Sequence, residues 1–271
     1  MKVKGGLKQF QMDQPIQRSL NAKWLTGDDI LIAYLDLCGT KFFYSTFPLK
    51  QQIERIERVV SNAWAEFDNV FGDDQKVFYV HIYADSIVAV QKQKDQIAAC
   101  TKKFVNWLLR VQRQILYDSD GGGTPTLSRG LVKRGKYFGL LFDKFGTSIE
   151  DTVINLSLVG GPTIVEMDEA LKGLPMGIYI DNSIVAELQD TSTLVNVEGG
   201  RLQFVKPEDG FYDMHKIFGG EGVDEWVNRM VQESENETFI DKLRQWADAV
   251  QARSNLIKSR RKENAEVWVR A

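Results

Sequence analysis

The pattern of apolar and polar positions predicts a buried strand followed by an amphipathic helix. Ile30 to Leu35 form a continuous apolar run of strand length, which favours a strand buried on both faces. The run stops at Asp36. From Leu49 to Phe71 apolar positions recur every three or four residues, which predicts a helix with one apolar stripe. The members of this stripe are Ile53, Ile56, Val60, Trp64 and Phe67.

The middle of the chain predicts a hairpin, a second helix and later strands. Residues 77–80 and 86–90 are short runs rich in β-branched and aromatic residues, and the break between them is typical of a hairpin. Further strands are predicted near residues 131–132 and at 177–181, with a short helix beginning at Pro162 between them. The second helical stripe consists of Ile97, Phe104, Leu108, Val111 and Ile115.

The resulting order, β, α, β, β, α, β, α, β, predicts the fold class. We expect an α+β fold in which an antiparallel sheet carries its helices on one face, and not a Rossmann repeat. Residues 1–27 are interpreted as a lead-in, 28–194 as the main domain and 195–271 as a mostly helical extension. A surface loop is predicted at residues 121–125, where three glycines precede a proline.

The composition and net charge limit the classes of binding partner that the sequence favours. The 271 residues carry 34 Lys and Arg against 37 Asp and Glu, a net charge of −3, which does not favour nucleic acid or an acidic membrane. The basic cluster at 259–262 is interpreted as a solvated helix end. Two cysteines, Cys38 and Cys100, make neither a disulfide framework nor a zinc site. Without a signal peptide or a long apolar run, we expect a soluble cytoplasmic protein.

Two aspartates carry the candidate chemistry. Asp36 ends the first strand and Asp85 lies at the bend of the hairpin, both beside strongly apolar runs where an unpaired carboxylate is costly to desolvate. If the hairpin lies beside the first strand, the two carboxylates converge at one sheet edge. Mg²⁺ or Mn²⁺ shared with a substrate phosphate would then relieve their repulsion. The alternative is a turn cap at Asp36 and an ordinary hairpin residue at Asp85.

The loop that follows Asp36 is the candidate phosphate site. Cys38, Gly39, Thr40 and Lys41 form a short glycine-containing segment whose backbone amides could cradle a triphosphate. The aromatic residues after it, Phe42 and Tyr44 among them, are candidates for stacking on a base, although core packing explains such residues as well.

These residues resemble the class III nucleotide cyclases. The segment Leu35-Asp-Leu-Cys-Gly-Thr40 is similar to the first metal motif of that family, and Tyr83-Ala-Asp-Ser-Ile-Val88 is similar to the second. Arg129-Gly-Leu-Val-Lys-Arg-Gly135 resembles a later strand and turn of the family. The segments 161–166 and 175–181 resemble its dimer helix and the strand after it. The resemblance covers roughly residues 28–190.

The resemblance implies a ferredoxin-like catalytic domain that works as a head-to-tail homodimer with composite active sites. It implies that Asp36 and Asp85 bind two Mg²⁺ or Mn²⁺ ions, with the carbonyl of Leu37 as a further ligand. The metals would polarise the α-phosphate of a nucleoside triphosphate and acidify the ribose 3′-hydroxyl, which attacks in line and releases pyrophosphate. Such catalysis depends on positioning and charge neutralisation.

Two positions depart from the purine-specific pattern of this family. His81 stands where purine cyclases usually carry a base-reading Lys, and Leu158 stands near the second, usually acidic, reader. This pattern resembles the pyrimidine cyclases of Pycsar antiphage defence, which make cyclic UMP or cyclic CMP, and we favour UTP as the substrate. His81 is also compatible with a structural role in its strand.

The positions that carry transition-state residues in most purine cyclases also differ in this sequence. Val165 and Glu169 occupy the positions of the usual transition-state Asn and Arg. Arg129, Lys133 or Arg134 could supply the missing positive charge from the partner subunit, and Asn155 is a further candidate. The alternatives to a pyrimidine cyclase are an adenylate or guanylate cyclase with unusual base readers, and a catalytically inactive nucleotide-binding module.

Overall fold

The strands in the described part of the chain form one mixed sheet. The computed structural model describes residues 8–10, 22–38, 44–45, 48–72, 78–83, 86–91, 96–117, 126, 128–142, 157–172, 174, 176–197, 199–207, 211, 225 and 228. Within them the strands are β1 (Lys8–Phe10), β2 (Ala22–Leu37), β3 (Phe78–Tyr83), β4 (Ser86–Gln91), β5 (Ser128–Phe142), β6 (Ser157–Gly160), β7 (Gly177–Asp181), β8 (Leu194–Asn196) and β9 (Leu202–Val205). The helices are α1 (Leu49–Phe71), α2 (Ile97–Tyr117), α3 (Pro162–Leu171) and α4 (Asn182–Val185).

The strand order confirms the predicted α+β fold. The sheet runs β3-β4-β2-β5-β7-β9-β8, with β1 paired to β2 and β6 paired to β5. Its core, β2-α1-β3-β4-α2-β5, is the split βαβ arrangement of ferredoxin-like domains, with the first strand between the third and fourth. These four strands pair antiparallel, whereas β5 and β7, which α3 connects, are parallel.

Alternation along the strands divides the core between the two faces of the sheet. Leu31, Ala33 and Leu35 of β2 belong to the apolar cluster that α1 and α2 cover. Ile30, Ile32 and their neighbours belong to a second cluster on the opposite face, which Met167 and Leu171 of α3 help to cover. The two long helices therefore share one face, as predicted, and the shorter α3 covers part of the other.

The apolar stripe of α2 is buried as predicted, whereas that of α1 is buried only in part. Ile53 is 57% exposed and Trp64 is 56% exposed, whereas Glu66 on the same helix is buried. Glu66 tolerates burial because its carboxylate accepts hydrogen bonds from Gln114 Nε2 (3.1 Å) and Arg110 (3.3 Å) of α2. These polar contacts between helices turn α1 away from the orientation that its apolar stripe alone predicts.

The sheet extends beyond the ends of the predicted main domain. The first residues of β2 lie in the predicted lead-in, where they pair with β1 and with the end of β5. A bulge between Gly27 and Ile30, with Asp29 at φ 61°, breaks the alternation there and conceals the early part of the strand from pattern analysis. On the other side, β8 and β9 carry the sheet to Val205. The division into a main domain at 28–194 and an extension at 195–271 stays a prediction.

Contacts divide the chain into two units. The first consists of Met1–Asp118 and Pro125–Asp209, and the second of Ser119–Thr124 and Gly210–Ala271. Beyond residue 207, the predicted extension is described only at residues 211, 225 and 228, so its basic cluster at 259–262 lies outside the described residues, as does the predicted loop at 121–125. None of the helices in the described part of the chain is long and apolar enough to cross a bilayer.

The two faces of α1 give a stability test. Phe67 is 3% exposed and contacts the rings of Phe71 and Trp107, so Phe67→Ala is expected to lower the free energy of unfolding by about 3–5 kcal/mol. The matched change Ile53→Ala on the exposed face is expected to cost about 0.5 kcal/mol or less. Urea unfolding followed by circular dichroism measures both. Equal losses for the two variants would contradict the assigned orientation of the helix.

Candidate functional site

Asp36 lies at the end of β2 between two neighbouring strands. Its register partners are Ser86 of β4 on one side and Arg129 of β5 on the other. By the alternation of the strand it shares a face with Ile32 and Tyr34, the face that α3 partly covers. The residue is only 9% exposed, so its carboxylate has lost most of its hydration and needs a compensating charge or hydrogen bonds.

Arg129 supplies that charge from the same chain. One guanidinium nitrogen lies 2.7 Å from Asp36 Oδ2, and another donates to the carbonyl of Leu171, also at 2.7 Å. Burial lowers the pKa of this guanidinium, but nearby Cys38 and the hydrogen bond to Asp36 raise it and prevail, so Arg129 stays charged. From the sequence, Arg129 was a candidate to supply positive charge to the active site of the partner subunit. The structure places it on Asp36 of its own chain, because β2 and β5 align the two residues.

Asp85 lies outside the described residues, so its meeting with Asp36 stays a prediction. The residue next to it in the sequence, Ser86, is the register partner of Asp36, and Ser86 also pairs with Tyr83 of β3. The hairpin and the first strand are therefore neighbours, which is the condition on which the prediction depended.

A hydrogen-bond network links this end of the sheet to α3. Tyr34 donates weakly to Asp168 Oδ1 of α3 at 3.4 Å, and its hydroxyl lies 2.9 Å from Ser86 Oγ. In the second bond either hydroxyl can be the donor. Asp168 also pairs with Lys172 at 2.9 Å. Through Tyr34 and Arg129, the C-terminal half of α3 is therefore tied to β2, which carries Asp36, and to β5 beside it.

The loop after β2 is described only at its ends. Gly39, Thr40, Lys41 and Phe42 lie outside the described residues, and so do the side chain of His81 in β3 and that of Leu158 in β6. Tyr44 is 42% exposed, and its main-chain carbonyl accepts a hydrogen bond from Gln52. The phosphate-binding and base-binding roles of this group stay predictions.

Arg55 of α1 reaches the start of this loop. It is 8% exposed, and its guanidinium lies 3.4 Å from the carbonyl oxygen of Cys38. A buried arginine beside a candidate phosphate loop is a residue that the sequence analysis missed, because an arginine in a helical stripe gives no signal until the helix is oriented. Tyr34 and Asp168 were missed because they are 134 positions apart, and only the placement of α3 brings them together.

Arg134 is not brought to Asp36. It lies five residues beyond Arg129 on β5, and by alternation its side chain belongs to the other face of the sheet. There its guanidinium pairs with Asp29 at 2.6 Å and with Glu187. Lys133 lies on the face of Asp36 but pairs with Glu166 at 2.7 Å. Any role of Arg134 at the Asp36 site therefore depends on a second copy of the chain.

The two positions that depart from the usual transition-state residues lie on α3. Val165 is 58% exposed, and Glu169 is exposed as well. Neither can supply the positive charge that the resemblance implies for these positions. Asn155, the other candidate, lies outside the described residues.

The donor chemistry at the end of β2 fits a hard divalent cation. The Asp36 carboxylate and the carbonyl of Leu37 are oxygen donors of the kind that Mg²⁺ and Mn²⁺ prefer. The nearest sulfur ligand, Cys38, is held as a neutral thiol. The described residues contain no group of three or more His, Cys, Asp or Glu side chains that could hold a metal. Asp85, the second predicted metal ligand, lies outside the described residues.

The comparisons with known proteins leave the family open. No protein-family model matches the chain, and no curated protein sequence matches it. Among solved structures, the guanylyl cyclase domain of the RhoGC fusion protein from the aquatic fungus Blastocladiella emersonii aligns at 12% identity and a TM-score of 0.47, covering 67% of this chain and 96% of that one.

Two further structures align to a similar extent. The guanylate cyclase domain of RhGC from Catenaria anguillulae, in complex with GTP, has 12% identity and a TM-score of 0.48, covering 68% of this chain and 99% of that one. A bacterial light-regulated adenylyl cyclase has 11% identity and a TM-score of 0.47, covering 74% and 97%. Likeness at this level carries no functional conclusion, and the strand order alone establishes the ferredoxin-like core.

The thiol of Cys38 gives a chemical test of this environment. Burial raises its pKa to about 11, against the lowering influence of Arg129. A raised pKa keeps the thiol protonated, so at pH 8 we expect iodoacetamide to label it at least about tenfold more slowly than a free cysteine, with the rate rising toward pH 11. Peptide mass spectrometry separates Cys38 from Cys100, and urea-unfolded protein is the control. Labelling of native Cys38 at the free-cysteine rate would contradict the assigned environment.

Proposed function

We propose that this protein is a metal-dependent nucleotide cyclase that converts UTP, or alternatively CTP, to the 3′,5′-cyclic nucleotide and pyrophosphate. The observation that supports it is the position of Asp36: a nearly buried carboxylate at the end of a central strand, whose register partner is the residue that follows Asp85. The motifs around both aspartates resemble those of class III cyclases.

The roles of the residues follow from the reaction. Asp36, Asp85 and the Leu37 carbonyl would hold Mg²⁺ or Mn²⁺. When bound, such ions polarise the α-phosphate and acidify the 3′-hydroxyl. The loop from Cys38 to Lys41 would hold the triphosphate, with Arg55 fixing the start of that loop through the Cys38 carbonyl. The 3′-hydroxyl would lose its proton to solvent water, and its oxygen would bond to the α-phosphorus as the bond from that phosphorus to the pyrophosphate oxygen breaks.

The preference for a pyrimidine is the finer part of the proposal. It rests on His81 and Leu158, which differ from the usual purine readers, with Phe42 and Tyr44 as candidates for stacking on the base. A hydrogen-bonding site rejects bases whose donors and acceptors do not match, so these departures disfavour ATP and GTP. A cyclic pyrimidine nucleotide of this kind would serve as a second messenger in antiphage defence.

We further propose that the enzyme is a homodimer with composite sites. Arg129, Arg134 and Lys133 all pair with acidic residues of their own chain. Arg129 already acts on Asp36 of its own chain, so Arg134, which lies on the opposite face of the sheet, is the candidate for the partner's site, with Lys133 as a second. Arg134 cannot serve its own Asp36, because the sheet separates the two side chains.

The decisive experiment is an assay with each of the four nucleoside triphosphates in the presence of Mn²⁺, with products identified by mass spectrometry. We expect cyclic UMP, or cyclic CMP, as the main product. Asp36→Ala and Asp85→Ala are each expected to reduce its formation by at least about a thousandfold, because both carboxylates are required to hold the metals.

The exposed aspartate Asp190 offers a matched control, since Asp190→Ala removes a carboxylate from the surface and is expected to retain full activity. Full activity of Asp36→Ala with Mn²⁺ would contradict the proposed metal site. Cyclic AMP or cyclic GMP as the main product would favour the adenylate or guanylate cyclase alternative. Tight binding without turnover would favour the inactive nucleotide-binding module, which the exposed Val165 and Glu169 keep as a specific alternative.

Mixing two inactive variants tests the composite site. Asp36→Ala and Arg134→Ala are each expected to be inactive alone. Random pairing of the two chains would restore one intact site in half of the dimers, so about a quarter of the wild-type activity is expected. No recovery, in a mixture shown by native mass spectrometry to contain mixed dimers, would contradict a role of Arg134 in the partner's site.

A further inference from the structure

We propose that Arg129 is the built-in counter-ion of Asp36 and that it keeps the affinity of this carboxylate for a divalent cation low. Arg129 is then a positioning residue that acts through Asp36, within one chain. The inference deepens the proposed function and rests on its metal site.

The pairing of β2 with β5 brings Asp36 and Arg129 together. Asp36 and Arg129 are directly opposite residues on the paired strands β2 and β5, on the same face of the sheet, although 93 positions separate them in the chain. Opposite positions on neighbouring strands are within contact distance for charged side chains. The pair therefore forms whenever the two strands pair in this register.

A second contact holds the guanidinium in place. Arg129 also donates to the carbonyl of Leu171, the last residue of α3, at 2.7 Å. The same carbonyl also accepts from the backbone N–H of Leu174 at 3.1 Å, and a cationic donor at the C-terminal end of a helix is favourable. Arg129 is thus held at both ends, by the helix and by the carboxylate.

The helix end is itself fixed at another point. Asp168, one turn before Leu171, accepts from Tyr34 at 3.4 Å and pairs with Lys172 at 2.9 Å. Tyr34 lies two residues before Asp36 on β2, and its hydroxyl contacts Ser86 of β4. β2 therefore contacts α3 through Tyr34 and Asp168, in addition to the contact that Arg129 of β5 makes with the end of the same helix.

The consequence for metal binding is electrostatic. A divalent ion on Asp36 would lie a few ångströms from the guanidinium of Arg129, whose side chain is only 17% exposed, so repulsion between the like charges would be poorly screened. It would also compete with Arg129 for Oδ2, the oxygen that the guanidinium already contacts. Arg129 therefore neutralises the charge of Asp36 when no metal is bound. A metal ion would bind well only when the anionic triphosphate adds negative charge to the site.

The test compares three substitutions at one position by isothermal titration with Mn²⁺ in the absence of nucleotide. Arg129→Gln and Arg129→Met remove the charge and are expected to tighten Mn²⁺ binding by at least about tenfold, because the repulsion is lost. Arg129→Lys keeps the charge and is expected to bind Mn²⁺ within about threefold of the wild type. Unchanged or weaker binding by both uncharged variants would overturn the inference, because it would show that the guanidinium does not oppose the metal.

Thermal unfolding, measured first without Mn²⁺ and then with it, provides a second readout. Without Mn²⁺, Arg129→Gln leaves the Asp36 carboxylate uncompensated and is expected to lower Tm by about 5 °C, whereas the double variant Asp36→Asn with Arg129→Gln is expected to regain most of that loss. With saturating Mn²⁺, Arg129→Gln is expected to gain about 3 °C more than the wild type does. No recovery in the double variant would overturn the counter-ion assignment.

The two proposals fail in different ways. If these shifts appear but none of the four nucleoside triphosphates is cyclised, the cyclase assignment is wrong while the counter-ion role stands. If Mn²⁺ binds neither the wild type nor the uncharged variants, the inference is overturned together with the metal site. If cyclisation occurs but the three Arg129 variants bind Mn²⁺ equally, only the inference is overturned.

Discussion

The ion pair between Asp36 and Arg129 is the interaction around which this end of the sheet is organised. A carboxylate that is 9% exposed would be costly on an otherwise apolar strand without a cation beside it. The long pairing of β2 with β5 brings Arg129 opposite it, and the same guanidinium caps the end of α3. Strand register, helix position and local charge therefore depend on one another.

The fold was largely predictable from the sequence because its strongest elements have unambiguous periodicity. The apolar run of β2, the hairpin of β3 and β4, and the stripe of α2 all appear where the pattern indicates. The early part of β2 was not predictable, because the bulge before Ile30 interrupts the alternation. The orientation of α1 was not predictable either, since it depends on the partners that Glu66 finds in α2 and that Arg55 finds at the loop.

The candidate site was predictable only in part. Asp36 stood out because a carboxylate directly follows an apolar run, and the register of β2 with β4 agrees with the convergence expected for the hairpin. The pairing of Arg129 with Asp36 within one chain could not be read from the sequence, because it requires the register of two strands that are far apart in the chain. The contact of Tyr34 with Asp168 spans 134 positions, and only the placement of α3 shows it. Asp85 and most of the loop after Cys38 lie outside the described residues.

The long ladder between β2 and β5 has a consequence for how the protein reaches its native state. Its two strands come from opposite sides of α1, the hairpin and α2, so pairing them closes a loop of about ninety residues, and the entropy of that closure is lost before any contact compensates it. The hairpin joins neighbouring segments and is expected to form much earlier on the folding pathway. Charge compensation of Asp36 is therefore expected to follow the formation of the hairpin during folding, because it requires the β2–β5 ladder.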